Sequence, residues 1–322
     1  MTKHGKVIEL VSNIPSQTTN QDNLLQNPWG TVIHGDSVWV ADNNTNVLTN
    51  YDFKGRKLTP GTVNLPQGDA DIPQRPTGIA LNQTRGFVIQ ESDNNKAASL
   101  LIIVGENGII WGYNPLVDQD NAFIAVDFSA EPDHPVYKGC AIAGNYLYAA
   151  DFHNGQIDVF DFNFNQVTTL NFTDPSENQI PEDYAPFNIV NIRNKLYVTY
   201  AKRLAPNNVD DESGPGNGYI NVFDTNGNFI RRFASGEPLN SPWGITLSPF
   251  SDSTVMVANK GDGKINVFST HGDYKGALKS SHHDTLVIEG LLSLSRHHKC
   301  IYYSAGPNME TDGIVGKIKF IR

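Results

Sequence analysis

The sequence predicts an all-β chain closed into a six-bladed β-propeller with four antiparallel strands to a blade. Three observations carry that prediction. A Pro-Trp-Gly step occurs twice, at Pro28-Trp29-Gly30 and Pro242-Trp243-Gly244, and each copy opens an apolar run that leads to Val-Ala-(Asp/Asn). Weaker copies align on the same Gly at Pro76-Thr77-Gly78, Tyr137-Lys138-Gly139, Pro186-Phe187-Asn188 and Ile288-Glu289-Gly290. The intervals are 48, 61, 49, 56 and 46 residues, periods that suit propeller blades. The chain also carries 28 Gly and 18 Pro, and no window sustains the i, i+3, i+4, i+7 apolar pattern of an amphipathic helix.

The blades follow in order, each a set of short β-branched and aromatic runs. Blade 1, from about residue 28, reads "GTVIHG", "VWVADN", "VLTNYD" and then "FKGRKLTPG". Blade 2, from 76, reads "GIALN", "LLIIVGEN" and "IIWGYN", with an extra "GFVIQESDNN" between its first two strands that accounts for the long interval. Blade 3, from 137, reads "GCAIAG", "LYAADFH", "QIDVFD" and "FNFNQVTTL"; blade 4, from 186, reads "NIVNIR", "LYVTYAK", "YINVFD" and "TNGNFIRRF". Blade 5, from 242, reads "GITLSP", "VMVANKG", "KINVFS" and "THGDYKGAL". Gly and Asn between third and fourth strands suit hairpin turns that need positive φ. Blade 6, from 288, has only "GLLSLS", "IYYSAGPN" and "KIKFI" before the chain stops at Arg322. Its missing outer strand is expected from "KVIELVS", residues 6–12, which would close the ring as one domain over residues 1–322 and leave only short, protected edges.

Segments from "LLQNPWG" through "VYKGCAIAGNYLYAADFHNGQIDVFD", "YAPFNIVNIRNKLYVTYAK", "GPGNGYINVFDTNGN" and "LNSPWGI" to "YYSAGPNMETDGIVGKI" span nearly the whole chain in one order. They resemble a family of mostly uncharacterised, predicted β-propeller proteins found chiefly in bacteria, many members of which look exported. More loosely, the architecture is similar to NHL-repeat, lactonase-like and strictosidine-synthase-like six-bladed propellers. That group includes both scaffolds and enzymes, so the fold does not choose between them.

The formal charge of -10 excludes a phosphate-backbone binder, which needs clustered Lys and Arg. No apolar run approaches the roughly 18 residues of a membrane span. The N-terminus as written has no secretory apolar core, so an intracellular or particle-associated acidic, soluble protein is expected. The Asn-rich composition suggests an AT-rich genome, that of a parasite, a symbiont or a large DNA virus. Cys140 and Cys300 fall in opposing blades, too far apart for a disulfide.

Strand order assigns the loops to two faces of the disc. The first face gathers the residues beside each repeat Gly, among them Trp29, Lys138, Phe187, Trp243 and Glu289. It also gathers the loops between second and third strands, with Asp42, Asn43, Glu106, Asp151, His153, Lys202, Asn259, Asp262, Asn308 and Glu310. Polar groups converging there from six blades make it the expected ligand-binding face. The aromatics either fill wedges between blades or stack on a ligand. Lys138 and Glu289, in opposing blades, would line a charged channel mouth. The likeness to lactonase-like propellers implies an axial Ca2+ held by Asp151, Asn259, Glu289 and Asn308, although Asp and Asn are also common turn residues. His153 beside Asp151 is the candidate general base. The triplet Asp210, Asp211 and Glu212 lies in a long blade 4 loop, read as solvated and flexible or as a receptor for a cation or basic partner. "SHHD" (residues 281–284) and "RHHKC" (residues 296–300) flank one strand and belong on opposite faces, too far apart for one zinc ion. Asp52, Asp161 and Asp224 read as turn residues. No phosphate-binding loop, nucleophile elbow or His-Glu-x-x-His is present. The expected function is a binding or interaction scaffold for a protein or small polar ligand. The alternatives are a Ca2+-dependent lactonase-like hydrolase and a structural component of a larger particle.

Overall fold

A computed structural model describes residues 4–321, and these form the six-bladed ring. The inner strands are Pro28–His34, Pro76–Leu81, Tyr137–Ala143, Tyr184–Ile192, Pro242–Ser248 and Leu291–His297. Each touches the next, and the sixth returns to the first. Blades 1, 2, 4 and 5 are four-stranded antiparallel sheets. The insertion in blade 2 forms its own hairpin, Val88–Ser92 with Asn95–Ala98. Blade 3 departs from the expected pattern with three strands, and its "FNFNQVTTL" segment makes a single bridge between Phe160 and Gln166. Blade 6 is closed by the N-terminal strand His4–Ser12, antiparallel to Ile314–Ile321. A two-residue strand, Asn20–Gln21, adds to its rim.

The continuous apolar runs follow from two-sided burial. Successive side chains of a strand point to opposite faces, so alternate residues serve different blade boundaries. Val38 and Val40 pack with Tyr302 and Val315 of blade 6, whereas Trp39 and Ala41 pack with Ile79 and Ile103 of blade 2. Leu101 and Ile103 face blade 1, while Ile102 and Val104 join Cys140 and Leu147 of blade 3. The remaining boundaries repeat the arrangement.

Every blade breaks register at the start of its inner strand, for example between Pro28 and Thr31, Pro186 and Asn188, and Leu291 and Leu294. The repeat Gly sits in this bulge because the next inner strand passes too close for a side chain. A Cβ on Gly78 would lie 2.6 Å from the Cys140 backbone nitrogen, and one on Gly244 would lie 2.5 Å from the Leu292 carbonyl oxygen. The same register corrects the sixth copy. Leu291 pairs with Ala305 as Pro28 pairs with Asp42, so the equivalent of Pro-Trp-Gly is Leu291-Leu292-Ser293, three residues beyond Ile288-Glu289-Gly290. Gly290, the glycine nearest in sequence, serves instead a turn of positive φ, 66°.

Asp52, Asp161 and Asp224 are the turn residues expected. Each Oδ1 accepts the backbone N–H groups two and four residues on. Burial raises each carboxyl, but these hydrogen bonds, together with those from the Arg56, Asn165 and Asn228 side chains, hold all three below the usual range.

Candidate functional site

The residues beside the repeat glycines meet over the axis and close it. Trp29 of blade 1 lies edge-on to Phe187 of the opposite blade at 6.0 Å and to Trp243 of blade 5 at 5.8 Å. Phe152 stacks on Phe187 at 5.1 Å, and Leu292 completes the cluster. The aromatics therefore form an axial plug and do not fill separate wedges between blades. Lys138 caps it: its Nζ sits 5.1 Å from the Trp29 ring, and its carbonyl accepts the Trp243 indole N–H at 3.0 Å. Its side chain is only 2% exposed, so it lines no open mouth. Glu289 is displaced from this ring by the register shift. It is exposed and accepts the Asn308 N–H at 3.0 Å.

Above the plug, charges link blades 2 to 6 and side-chain amides tie in blade 1. Lys138 pairs with Glu106 of blade 2 and lies 3.6 Å from Asp210 of blade 4. Asp211 pairs with Lys260 of blade 5 at 3.0 Å, and Lys260 reaches Glu310 of blade 6 at 2.6 Å. Glu310 accepts the Asn27 amide of blade 1 at 3.1 Å. Asn27 also donates to Asn43, whose amide reaches the Pro76 carbonyl of blade 2. Glu212 pairs with Lys202 at 3.0 Å. The three acids thus face the chain's own lysines, and the Asp210 side chain stays 70% exposed. Sequence reasoning missed this because the partners of Asp210 and Asp211 lie on other blades. Burial would raise the Asp211 carboxyl, but Lys260 and hydrogen bonds from Ser241 and Ser213 hold it below the usual range. Burial would lower the Lys260 ammonium, but Asp211 and Glu310 hold it above its ordinary value.

The other candidates serve their own loops. Asp42 is buried and accepts the Thr49 hydroxyl at 2.7 Å; burial pushes its carboxyl well up. Asp151 accepts the backbone N–H groups of Val136 and Asn154 and the Asn154 amide. Burial still leaves its carboxyl above the ordinary value. His153 Nδ1 donates to the Asn207 carbonyl at 3.1 Å, which orients the ring toward the blade 4 loop. Asn259 donates to the Pro238 carbonyl and to Asp262, and Asn308 donates to Asp312. Among the described residues, no group of three or more His, Cys, Asp or Glu is arranged to hold a metal.

Beneath the plug the axis is hollow. A cavity of about 420 Å³ runs from the level of Gly30, Asn188, Trp243 and Ser293 to the far ends of the inner strands at Leu81, Asn191 and Arg296. Its mouth therefore lies on the second face, where first and second strands join. Each inner strand is the edge of its sheet and presents unpaired backbone groups to this space. Thr31, Ser293 and Ser295 join hydroxyls across the boundary of blades 1 and 6 at 2.8 and 2.9 Å. Asn188 and Asn191 donate to the Trp243 and Ile142 carbonyls. Cys140 also lines the cavity, and burial pushes its thiol far up. No helix among the described residues is long and apolar enough to cross a membrane.

No family model matches the sequence. The chain is 40% identical over 321 residues to the uncharacterized protein L690 of Acanthamoeba polyphaga mimivirus, covering 97% of this chain and 85% of that one. It is 37% identical to protein R648 of the same virus, covering 97% and 80%. Both relatives are viral, whereas the sequence resemblance pointed chiefly to bacteria. Among solved structures, virginiamycin B lyase from Staphylococcus aureus superposes with a TM-score of 0.58 at 14% identity, covering 99% of this chain and 100% of that one. A protein of unknown function from Bacteroides thetaiotaomicron superposes with a TM-score of 0.64 at 8% identity, covering 99% and 76%. Likeness at such identities carries the fold alone. The identity to the two viral proteins is far higher and spans most of each, so the chain belongs to their family, a family of β-propellers.

Proposed function

We propose that the protein is a binding module that receives a small polar ligand in its axial cavity through the second face. One observation carries this reading: the first face is sealed by the aromatic plug and its charge belt, while the axis beneath stays hollow and open at the other end. The volume, about 420 Å³, is in the range of small-molecule sites, which combine apolar walls with a few polar groups. Here Ile79, Ile189 and Ile245 supply apolar wall, and Thr246, Arg296 and the strand edges supply polarity. Binding is favoured over catalysis because, among the described residues, no carboxylate or imidazole lines the cavity to serve as a general base. The Cys140 thiol is also held protonated by burial. The test is ligand-observed NMR with sugars, amino acids and small carboxylic acids, comparing the native protein with Thr246→Trp, which fills the mouth. Binding that the variant abolishes without loss of folding supports the reading. Binding that survives the filled mouth refutes it.

A further inference from the structure

One groove on the second face carries charge of the opposite sign to the chain as a whole. The formal charge is -10, yet a groove of about 470 Å³ between blades 4 and 5 gathers Arg193, Lys195 and Arg231 against a single carboxylate, Asp252. That carboxylate is already shared, 2.6 Å from Arg193 and 2.7 Å from Arg296 of blade 6. Tyr197 and Leu247 supply apolar wall.

Two features mark the cations as more than a solvated fringe. Arg231, on the strand Phe229–Ser235, is half-buried. Its guanidinium lies 5.3 Å from the Phe233 ring and donates one hydrogen bond, to the Thr270 carbonyl. Its Nη1 is buried without a hydrogen-bond partner, and among the described residues no carboxylate lies within ion-pair distance of it. Withdrawing a charge from water without a counter-charge is costly, and an anion in the groove would relieve that cost. Arg193 occupies a tight turn with φ of 56°, followed by Asn194 at 59°. The corresponding turns of blades 1 and 3 place Gly35 and Gly144 at φ 56°. That conformation favours glycine and disfavours any residue with a Cβ, so blade 4 holds a guanidinium at the groove where blades 1 and 3 use glycine.

We infer that this groove binds the phosphate group of a small anionic ligand among Arg193, Lys195 and Arg231. Planar guanidinium groups donate paired hydrogen bonds to such oxygens. Asp252 acts as an internal competitor that occupies Arg193 until the ligand arrives, and Arg296 keeps Asp252 neutralised afterwards. The inference does not depend on the axial reading, since Thr246→Trp leaves this groove untouched.

The test is calorimetric titration with inorganic phosphate at low ionic strength, with chloride matched in the reference. The native protein is expected to bind saturably. Arg193→Gly removes the charge and suits the turn, so it should melt at the same or a higher temperature while binding phosphate about tenfold more weakly. Asp252→Asn removes the competitor and should bind more tightly than the native protein. The inference is overturned if the native protein shows no saturable phosphate binding, if Arg193→Gly binds equally well, or if Asp252→Asn binds more weakly.

Discussion

Lys260→Met cuts the charge belt at a link that spans blades 4, 5 and 6. The native ammonium lies 3.0 Å from Asp211 and 2.6 Å from Glu310, with side-chain exposures of 18%, 4% and 37%. Methionine keeps most of the apolar stem, so the loss is mainly electrostatic. Glu310 can regain water, but Asp211 is left as an unpaired buried carboxylate. Breaking one partner of such a pair costs about 3–5 kcal/mol, and the partial exposure of Lys260 places this case near 3. For 322 residues the unfolding entropy converts that loss to roughly 4 °C in melting temperature. Urea denaturation at pH 7 of the native protein, Lys260→Met, Asp211→Asn and the double variant gives the coupling directly, expected at about 2 kcal/mol or more. The Asp211 carboxyl is held low, so its contribution is present above the unfolded carboxylate range and lost as pH falls through the folded value. The gap between native and Lys260→Met should therefore close in acid. A loss below about 1 kcal/mol, or strict additivity in the double variant, refutes the view that this link braces the first face.

Two further outcomes follow from the packing. Gly78→Ala brings a Cβ to 2.6 Å from the Cys140 backbone nitrogen, where only backbone can yield. It should cost about 1–3 kcal/mol in urea denaturation, whereas Gly35→Ala, with nothing within 4 Å of the added Cβ, should show only the penalty of its positive φ. Asp158 is raised to about 6 by burial first and the Asp151 charge second. Its folded form holds the proton more tightly than the unfolded chain, so stability from this group is present at low pH and lost as pH rises from 4 through 6. Between pH 4 and pH 8 the native protein should lose about 2.4 kcal/mol relative to Asp158→Asn, and a constant gap would mean that the carboxyl titrates normally.

Much of the architecture was legible because its determinants are local and repeated. The Pro-Trp-Gly echo marks a real bulge, the Asp after Tyr or Phe marks a real turn, and "KVIELVS" falls within the strand that closes the ring. The sixth copy was misplaced because Leu291-Leu292-Ser293 keeps the geometry of the motif but none of its letters, and a different glycine stood three residues away. The blade 3 outer segment reads as a strand in composition, yet Phe162 and Phe164 turn inward onto Phe87 and leave one bridge where a ladder was expected.

The site was less legible because its geometry depends on blades far apart in sequence. Lys138 and Asp210 lie 72 positions apart and carry no local sign that they approach each other. Trp29 and Phe187 were correctly placed on one face, but their meeting over the axis follows from ring closure. The second-face groove was invisible for the same reason: Arg193 reads as an ordinary hairpin residue until Arg231 and Asp252 are brought beside it.

On the proposed reading the molecule works from its hollow side, with the first face sealed. A crystal structure of the native protein soaked with the polar small molecules that score in solution tests it most directly. Ligand density in the axial cavity, beneath an unchanged Trp29, Phe187 and Trp243 plug, is the result expected. Density seated instead on the first face, with the blade 4 loop lifted from Lys138 and Lys260, would contradict it.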